Sequence, residues 1–134
     1  MNSWGRIAFV VVVLSASVVG AVGRANAQSN AGELLAQCEV LERGARVQRE
    51  VLSLPRDPRA HICYGFISAI QDLSALTESV DGPTLTGACL PPEGKLLQLV
   101  RVFTNYARTN PAELNQKAGL VVIKAFGRAF PCPR

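Results

Sequence analysis

The chain has little of what most catalytic and metal centres are made from. It contains a single histidine, a single tryptophan and a single methionine, and only 18% of its residues are charged. With His61 as the lone imidazole and no C-x-x-C spacing, a structural or catalytic zinc site lacks ligands. His61 and Cys63 stand two apart, and residues two apart on a helix point to different sides, so they do not form a nucleophilic pair. Asp57, Asp72 and Asp81 fall at turn and cap positions, and no two carboxylates stand out as acid and base. Gly82, Gly87 and Gly94 are irregularly spaced and lack the G-K-[ST] ending of a phosphate loop. Alternating strand patterns, internal repeats and low-complexity segments are also missing. These absences argue against an enzyme, with no catalytic, cofactor-binding or metal residue to name, and no nucleic-acid-binding motif is present.

Hydrophobic patterning and cysteines are what the chain does have. Arg6 is followed by seventeen uncharged residues, Ile7 to Gly23, and then by Ala25-Asn26-Ala27. A positive start, an apolar run and a small-residue site describe a secretory signal peptide over residues 1–27, cleaved between Ala27 and Gln28. An uncleaved membrane anchor is the rival, since the run reaches the short edge of a spanning length; the small-residue site favours cleavage and no stable membrane insertion afterwards. Leu35-Ala36-Gln37-Cys38 is a poor lipidation site, because Gln precedes the cysteine and Glu33 interrupts the approach.

Export implies an oxidising compartment, where four cysteines in a small chain are a disulfide framework. Residues 28–134, about 107 in number, suit one domain with a modest core. Loss of Arg6 and Arg24 lowers the formal charge from +4 to +2, unevenly spread: residues 28–88 hold five Arg against eight acids, and residues 89–134 hold seven bases against two. The basic second half is most simply a solvated helix surface, although an acidic partner is the functional alternative.

Four helices are expected in a single all-α domain, with room for a short fifth. Asn30 and Glu33 start the first, which carries Leu34, Leu35, Cys38, Leu41 and Ala45 on one stripe and weakens at Gly44. Ala45 to Pro58 reads as a long connection with at most one short helical turn, because Ser53-Leu54-Pro55 favours extended backbone. Asp57-Pro58 opens the second helix, with Ile62, Cys63, Phe66, Ile67, Ile70 and Leu73, to about Leu76. Gly65 and Ala69 on this helix suit the close approach of another. Thr77 to Pro92 is loop by composition.

Two amphipathic helices then follow across a tight turn at Asn110-Pro111. Leu96, Val100, Phe103 and Ala107 form one stripe, and Leu114, Ala118, Val122, Ala125 and Ala129 form the other. Asn110 with Glu113 has the form of a capping box. Phe66, Phe103, Tyr106, Phe126 and Phe130 are most simply core. An antiparallel pair brings Cys89 and Cys132 to the same end, which favours Cys89–Cys132 and, for the remaining two, Cys38–Cys63. Four cysteines permit other connectivities, and spacing alone does not choose among them.

Cys63-Tyr64-Gly65-Phe66-Ile67 with Ala69-Ile70, then Cys89-Leu90-Pro91, Gln98-Leu99-Val100, Tyr106, Asn110-Pro111 and Ala129-Phe130-Pro131-Cys132 occur in that order. In this set the chain resembles the Rap/Tai family of periplasmic immunity proteins, over about residues 33 to 132. Phe66 and Ala69 stand where that family commonly shows an aromatic and a glycine, and the connection from Gly44 to Asp57 is long for its better-known members. The resemblance implies a helical, disulfide-bonded periplasmic protein, often a homodimer, that blocks a peptidoglycan-cleaving amidase effector of type VI secretion by steric occlusion. Toxin-contacting residues vary between members, so none is carried across. The alternatives are an envelope-binding protein of the same fold without a toxin partner, or an acid-stress chaperone.

Overall fold

The computed structural model describes residues 30–78, 86–91 and 94–133. The expected leader with its cleavage site, and the Asp81-Gly82-Pro83 turn, lie outside them. The described chain runs α1 (Ala31–Gly44), a small hairpin of β1 (Arg46–Gln48) and β2 (Val51–Ser53), α2 (Pro58–Glu78), α3 (Leu96–Thr109), a 3-10 turn (Pro111–Glu113) and α4 (Ala118–Ala129). This is the expected four-helix, disulfide-stapled fold; the short helical turn allowed between Ala45 and Pro58 is not formed, a hairpin standing there instead, and the 3-10 turn lies at the α3–α4 connection.

α1 starts where its sequence dictates. The Asn30 side chain accepts a hydrogen bond from the Glu33 amide at 2.9 Å, relieving one of the unpaired donors of the first turn. Two more find partners elsewhere: the Ala31 and Gly32 amides donate to the carbonyls of Gln116 and Leu114, each at 2.9 Å. Those carbonyls are therefore not free to continue a helix from Pro111. This is why α4 begins at Ala118, later than the capping-box reading implies. The Asn110 side chain does not cap it either; its amide donates back to the Tyr106 carbonyl at 2.8 Å and closes α3.

The core is built from the expected stripes. Leu34, Cys38 and Leu41 of α1, Cys63 and Ile67 of α2, Leu99, Val100 and Phe103 of α3, and Val121, Val122 and Phe126 of α4 are all fully buried. Burying side chains of this size contributes roughly 1.5–3 kcal/mol each before entropy is counted. α1 packs against each of the other three helices. Arg108 of α3 reaches back to it, donating to Glu39 at 3.2 Å and Glu42 at 3.1 Å, while the Thr104 hydroxyl donates to the other oxygen of Glu42 at 3.1 Å.

Several positions differ from expectation. Ile62 and Leu73 are 46% and 41% exposed, and Ala69 is exposed as well. A Cβ placed on Gly65 would meet nothing within 4 Å, so among the described residues no helix lies on that face of α2. Ala129 is also exposed. α2 turns Ala60, Cys63, Ile67 and Ser74 inward, and its strong apolar character on both faces concealed which one was core.

The largest correction is the hairpin inside the expected connection. β1 and β2 are antiparallel, with Arg46 opposite Ser53, Val47 opposite Leu52 and Gln48 opposite Val51. Its turn residues Arg49 and Glu50 have φ of 48° and 68°. Tight hairpin turns with both central residues left-handed are normally announced by Asn-Gly or Asp-Gly, and neither is present.

Two disulfides close the frame. Cys38 joins Cys63 with Cα atoms 5.0 Å apart, and Cys89 joins Cys132 at 4.9 Å. The second is reinforced by the Cys89 amide, which donates to the Phe130 carbonyl at 2.9 Å. Replacing Cys38 and Cys63 together by Ser is expected to lower the unfolding free energy by about 2–4 kcal/mol, read as a shift in denaturant midpoint of the otherwise oxidised chain. An unchanged midpoint would show that packing alone holds α1 to α2.

α2 is opened by Asp57, whose carboxylate accepts from the Arg59 side chain at 2.7 Å and from its amide at 2.9 Å. The Arg59 guanidinium, then its amide, hold the Asp57 carboxyl below the ordinary carboxylate range. A depressed folded-state pKa adds stability above the unfolded value and loses it as pH falls through the folded one. Asp57→Ala is thus expected to lower Tm at neutral pH, with the gap to the parent narrowing below about pH 4 in melting curves.

Candidate protein-binding surface

The sequence singled out cysteines, a histidine and scattered acids, of which Asp81 lies outside the described residues. All four cysteines are bridged. His61 is exposed, with its Nδ1 3.1 Å from the Asp57 carbonyl at the start of α2. Cys63 is fully buried in its bridge. Among the described residues no three His, Cys, Asp or Glu side chains converge as metal ligands. What stands out is a surface.

The hairpin is presented by the ends of two core helices. Where α1 stops, Pro55 packs directly on Gly44; a Cβ on Gly44 would lie only 2.7 Å from the Pro55 Cβ. Only glycine admits the returning strand so close. Eight residues beyond Pro55, at Cys63, α2 is tied to Cys38 of α1, so both stems of the connection are fixed to the core. Leu54 packs against that core at the edge.

Residues beyond the base are turned outward. Val47 and Val51 are 56% and 68% exposed. Cross-strand partners share a face of a ladder, so Val47 and Leu52 stand together. They line a groove of about 390 Å³ together with Tyr64 of α2, Leu96 and Leu97 at the start of α3, and the charged Glu50 and Lys95. In the same segment of the chain Arg46, Arg49 and Arg56 are exposed. Among the described residues none of the three takes part in an ion pair, whereas Arg43, Arg59, Arg108 and Lys124 each do.

A second groove, of about 410 Å³, lies at the other end of α3 and is lined by Asn105, Tyr106, Thr109, Asn110 and Arg128. Its polar atoms are largely spent within the chain. The Thr109 hydroxyl donates to the carbonyl of Asn105 or of Tyr106, both at 3.0 Å, and the Asn110 amide closes the helix end. The Tyr106 hydroxyl donates to Glu113 at 3.3 Å, and Lys124 pairs with the same carboxylate. This is helix-end chemistry, not open recognition. Arg108 and Lys124 of the basic second half are thus paired within the chain, while Lys95 and Arg128, which line the two grooves, take part in no ion pair among the described residues.

Sequence reasoning missed the groove because its walls come from three separate segments. The available signal was modest: two valines flanking Gln48-Arg49-Glu50, in the segment already marked as irregular.

The family model for Rap1a immunity proteins matches residues 30–132. Neither a comparison with curated proteins nor one with solved structures found a match. The matched stretch contains the four described helices and both disulfides, and with that coverage this chain belongs to the Rap1a immunity protein family.

Proposed function

We propose that the protein is a periplasmic immunity protein that binds a peptidoglycan-cleaving amidase effector of type VI secretion and covers its active-site cleft. The observation that carries this is the family match across nearly the whole described fold. Two features of the chain support it. A pair of buried or half-buried disulfides suits an oxidising compartment, and the N-terminal sequence has the form of a leader leading there. A wall-cleaving effector acts outside the inner membrane, so its inhibitor has to be folded and waiting on that side.

Inhibition by covering needs no catalytic group in the inhibitor. It needs a rigid surface that fits the enzyme and slow release, and the doubly stapled helical frame supplies rigidity. Preorganised surfaces lose little ordering entropy on association, which is how an interface of ordinary size reaches tight binding. The homodimer that the resemblance implies belongs to the same proposal, and light scattering on the mature chain reads its mass directly.

The oxidised mature chain, residues 28–134, is expected to capture one cell-wall hydrolase stoichiometrically from secreted and periplasmic extract of its own organism. The captured enzyme should lose activity on purified peptidoglycan at a one-to-one ratio. Recovery of no hydrolase from cells actively secreting through a type VI system would shift the reading to an envelope-binding protein of the same fold. Loss of helical circular dichroism near pH 2–3, with release of bound clients on neutralisation, would instead indicate an acid-stress chaperone.

A further inference from the structure

The groove beside the hairpin has the make-up of an anchor site. Its walls are aliphatic and aromatic: Val47 and Leu52 from the hairpin, Tyr64 from α2, Leu96 and Leu97 from α3. Binding energy at protein interfaces concentrates where one large side chain fills such a pocket and is ringed by contacts that exclude water. Glu50 and Lys95 also line it, one charge of each sign, and the exposed Arg46, Arg49 and Arg56 of the same segment leave the neighbourhood net positive. Among the described residues Arg46, Arg49 and Arg56 carry no ion pair, and Asp57, the nearest acid in sequence to Arg56, is already held by Arg59.

The backbone adds an independent observation. Arg49 and Glu50 adopt left-handed conformations at φ 48° and 68°, which cost roughly 1–2 kcal/mol per residue for side chains of this kind. Glycine would remove that cost, yet the tip carries two long charged side chains. Strain retained at an exposed tip points to what the tip presents outward. It persists because the hairpin base is fixed by the Gly44–Pro55 contact and by the nearby bridge.

We propose that this groove receives one apolar anchor side chain of the effector, and that Arg46, Arg49 and Arg56 meet an acidic rim on the same partner. The assignment rests on the immunity reading and adds to it a location and a partner chemistry: an apolar protrusion bordered by Asp and Glu. Free guanidinium groups around a desolvated centre hasten encounter and fix orientation, while the filled groove slows release. The polar groove at the other end of α3 takes no part.

The test uses the hydrolase purified from the capture experiment and three forms of the oxidised mature chain, each first shown to melt like the parent. Val47→Asp, on an exposed wall of the groove, is expected to weaken binding by about 30-fold or more, mainly through faster dissociation. Arg46→Glu/Arg49→Glu/Arg56→Glu is expected to slow association by about 10-fold or more and to flatten its salt dependence. Arg128→Glu, in the second groove, should bind as the parent does. If the parent binds and inhibits while both hairpin variants stay within about twofold of it, the assignment is wrong and the immunity reading stands. If Arg128→Glu alone loses binding, the second groove is the contact. A parent that captures no hydrolase removes the immunity reading and this assignment together.

Discussion

The constraint on which the rest depends is the buried bond between Cys38 and Cys63. Both cysteines are fully buried, and their link holds the middle of α1 against the first turns of α2 with Cα atoms 5.0 Å apart. α1 touches every other described helix, so fixing α2 to it sets the wall against which α3 and α4 close. It also sets the distance between the two stems of the intervening segment. Three-residue strands do not form a stable hairpin in water by themselves. Held at both ends, and clamped where Pro55 meets Gly44, the same strands become part of the native state. A core bond thus fixes the shape of a surface.

The remaining ties divide the labour differently. Cys89–Cys132, with the Ala88–Pro131 bridge beside it, closes α3 and α4 at the end far from their turn. The polar links set orientation more than stability. Arg108 is 44% exposed where it meets Glu39 and Glu42, and ion pairs in water add at most about 1 kcal/mol. They nevertheless select one rotation of α3 against α1, because a guanidinium that serves two carboxylates one turn apart has few other placements. The Ala31 and Gly32 amides do the same for the α3–α4 connection by taking the carbonyls of Leu114 and Gln116.

Most of this frame was legible in the sequence. Periodicity located four helices, caps located the start of α1 and of α2, and an antiparallel pair placed Cys89 beside Cys132. What was not legible has a common physical cause: it depended on contacts between segments far apart in the chain. The delay of α4 to Ala118 follows from α1 claiming two carbonyls. The outer face of α2, with Ile62, Gly65, Ala69 and Leu73, reads as core by residue type and is exposed because α1 and α3 occupy the other side. The hairpin lacked its usual turn residues, so no local rule marked it. The groove has walls from the hairpin, α2 and α3, and three short segments in sequence do not announce a shared cavity. Local rules gave the helices; only packing gave the surface.

That separation between frame and surface bears on how such a protein can change partner. Val47, Arg49, Glu50 and Val51 are exposed and lie outside the buried core. Substitution at such positions usually shifts stability by no more than about 0.5 kcal/mol, whereas truncating Phe103 or Leu34 would remove several times that amount. Contact chemistry can therefore vary while the fold stays above its stability threshold. The two left-handed residues mark the limit of this freedom. A β-branched side chain at position 49 or 50 would strain the turn further, whereas Gly, Asn or Asp would relax it, so the tip can trade charge for ease of folding but not for bulk near the backbone. On the groove side the limits are tighter. Leu96 and Leu97 pack against the core as well as lining the cavity, so the floor of the groove is set by folding and its rim by recognition. A new partner would be met first by changing the rim.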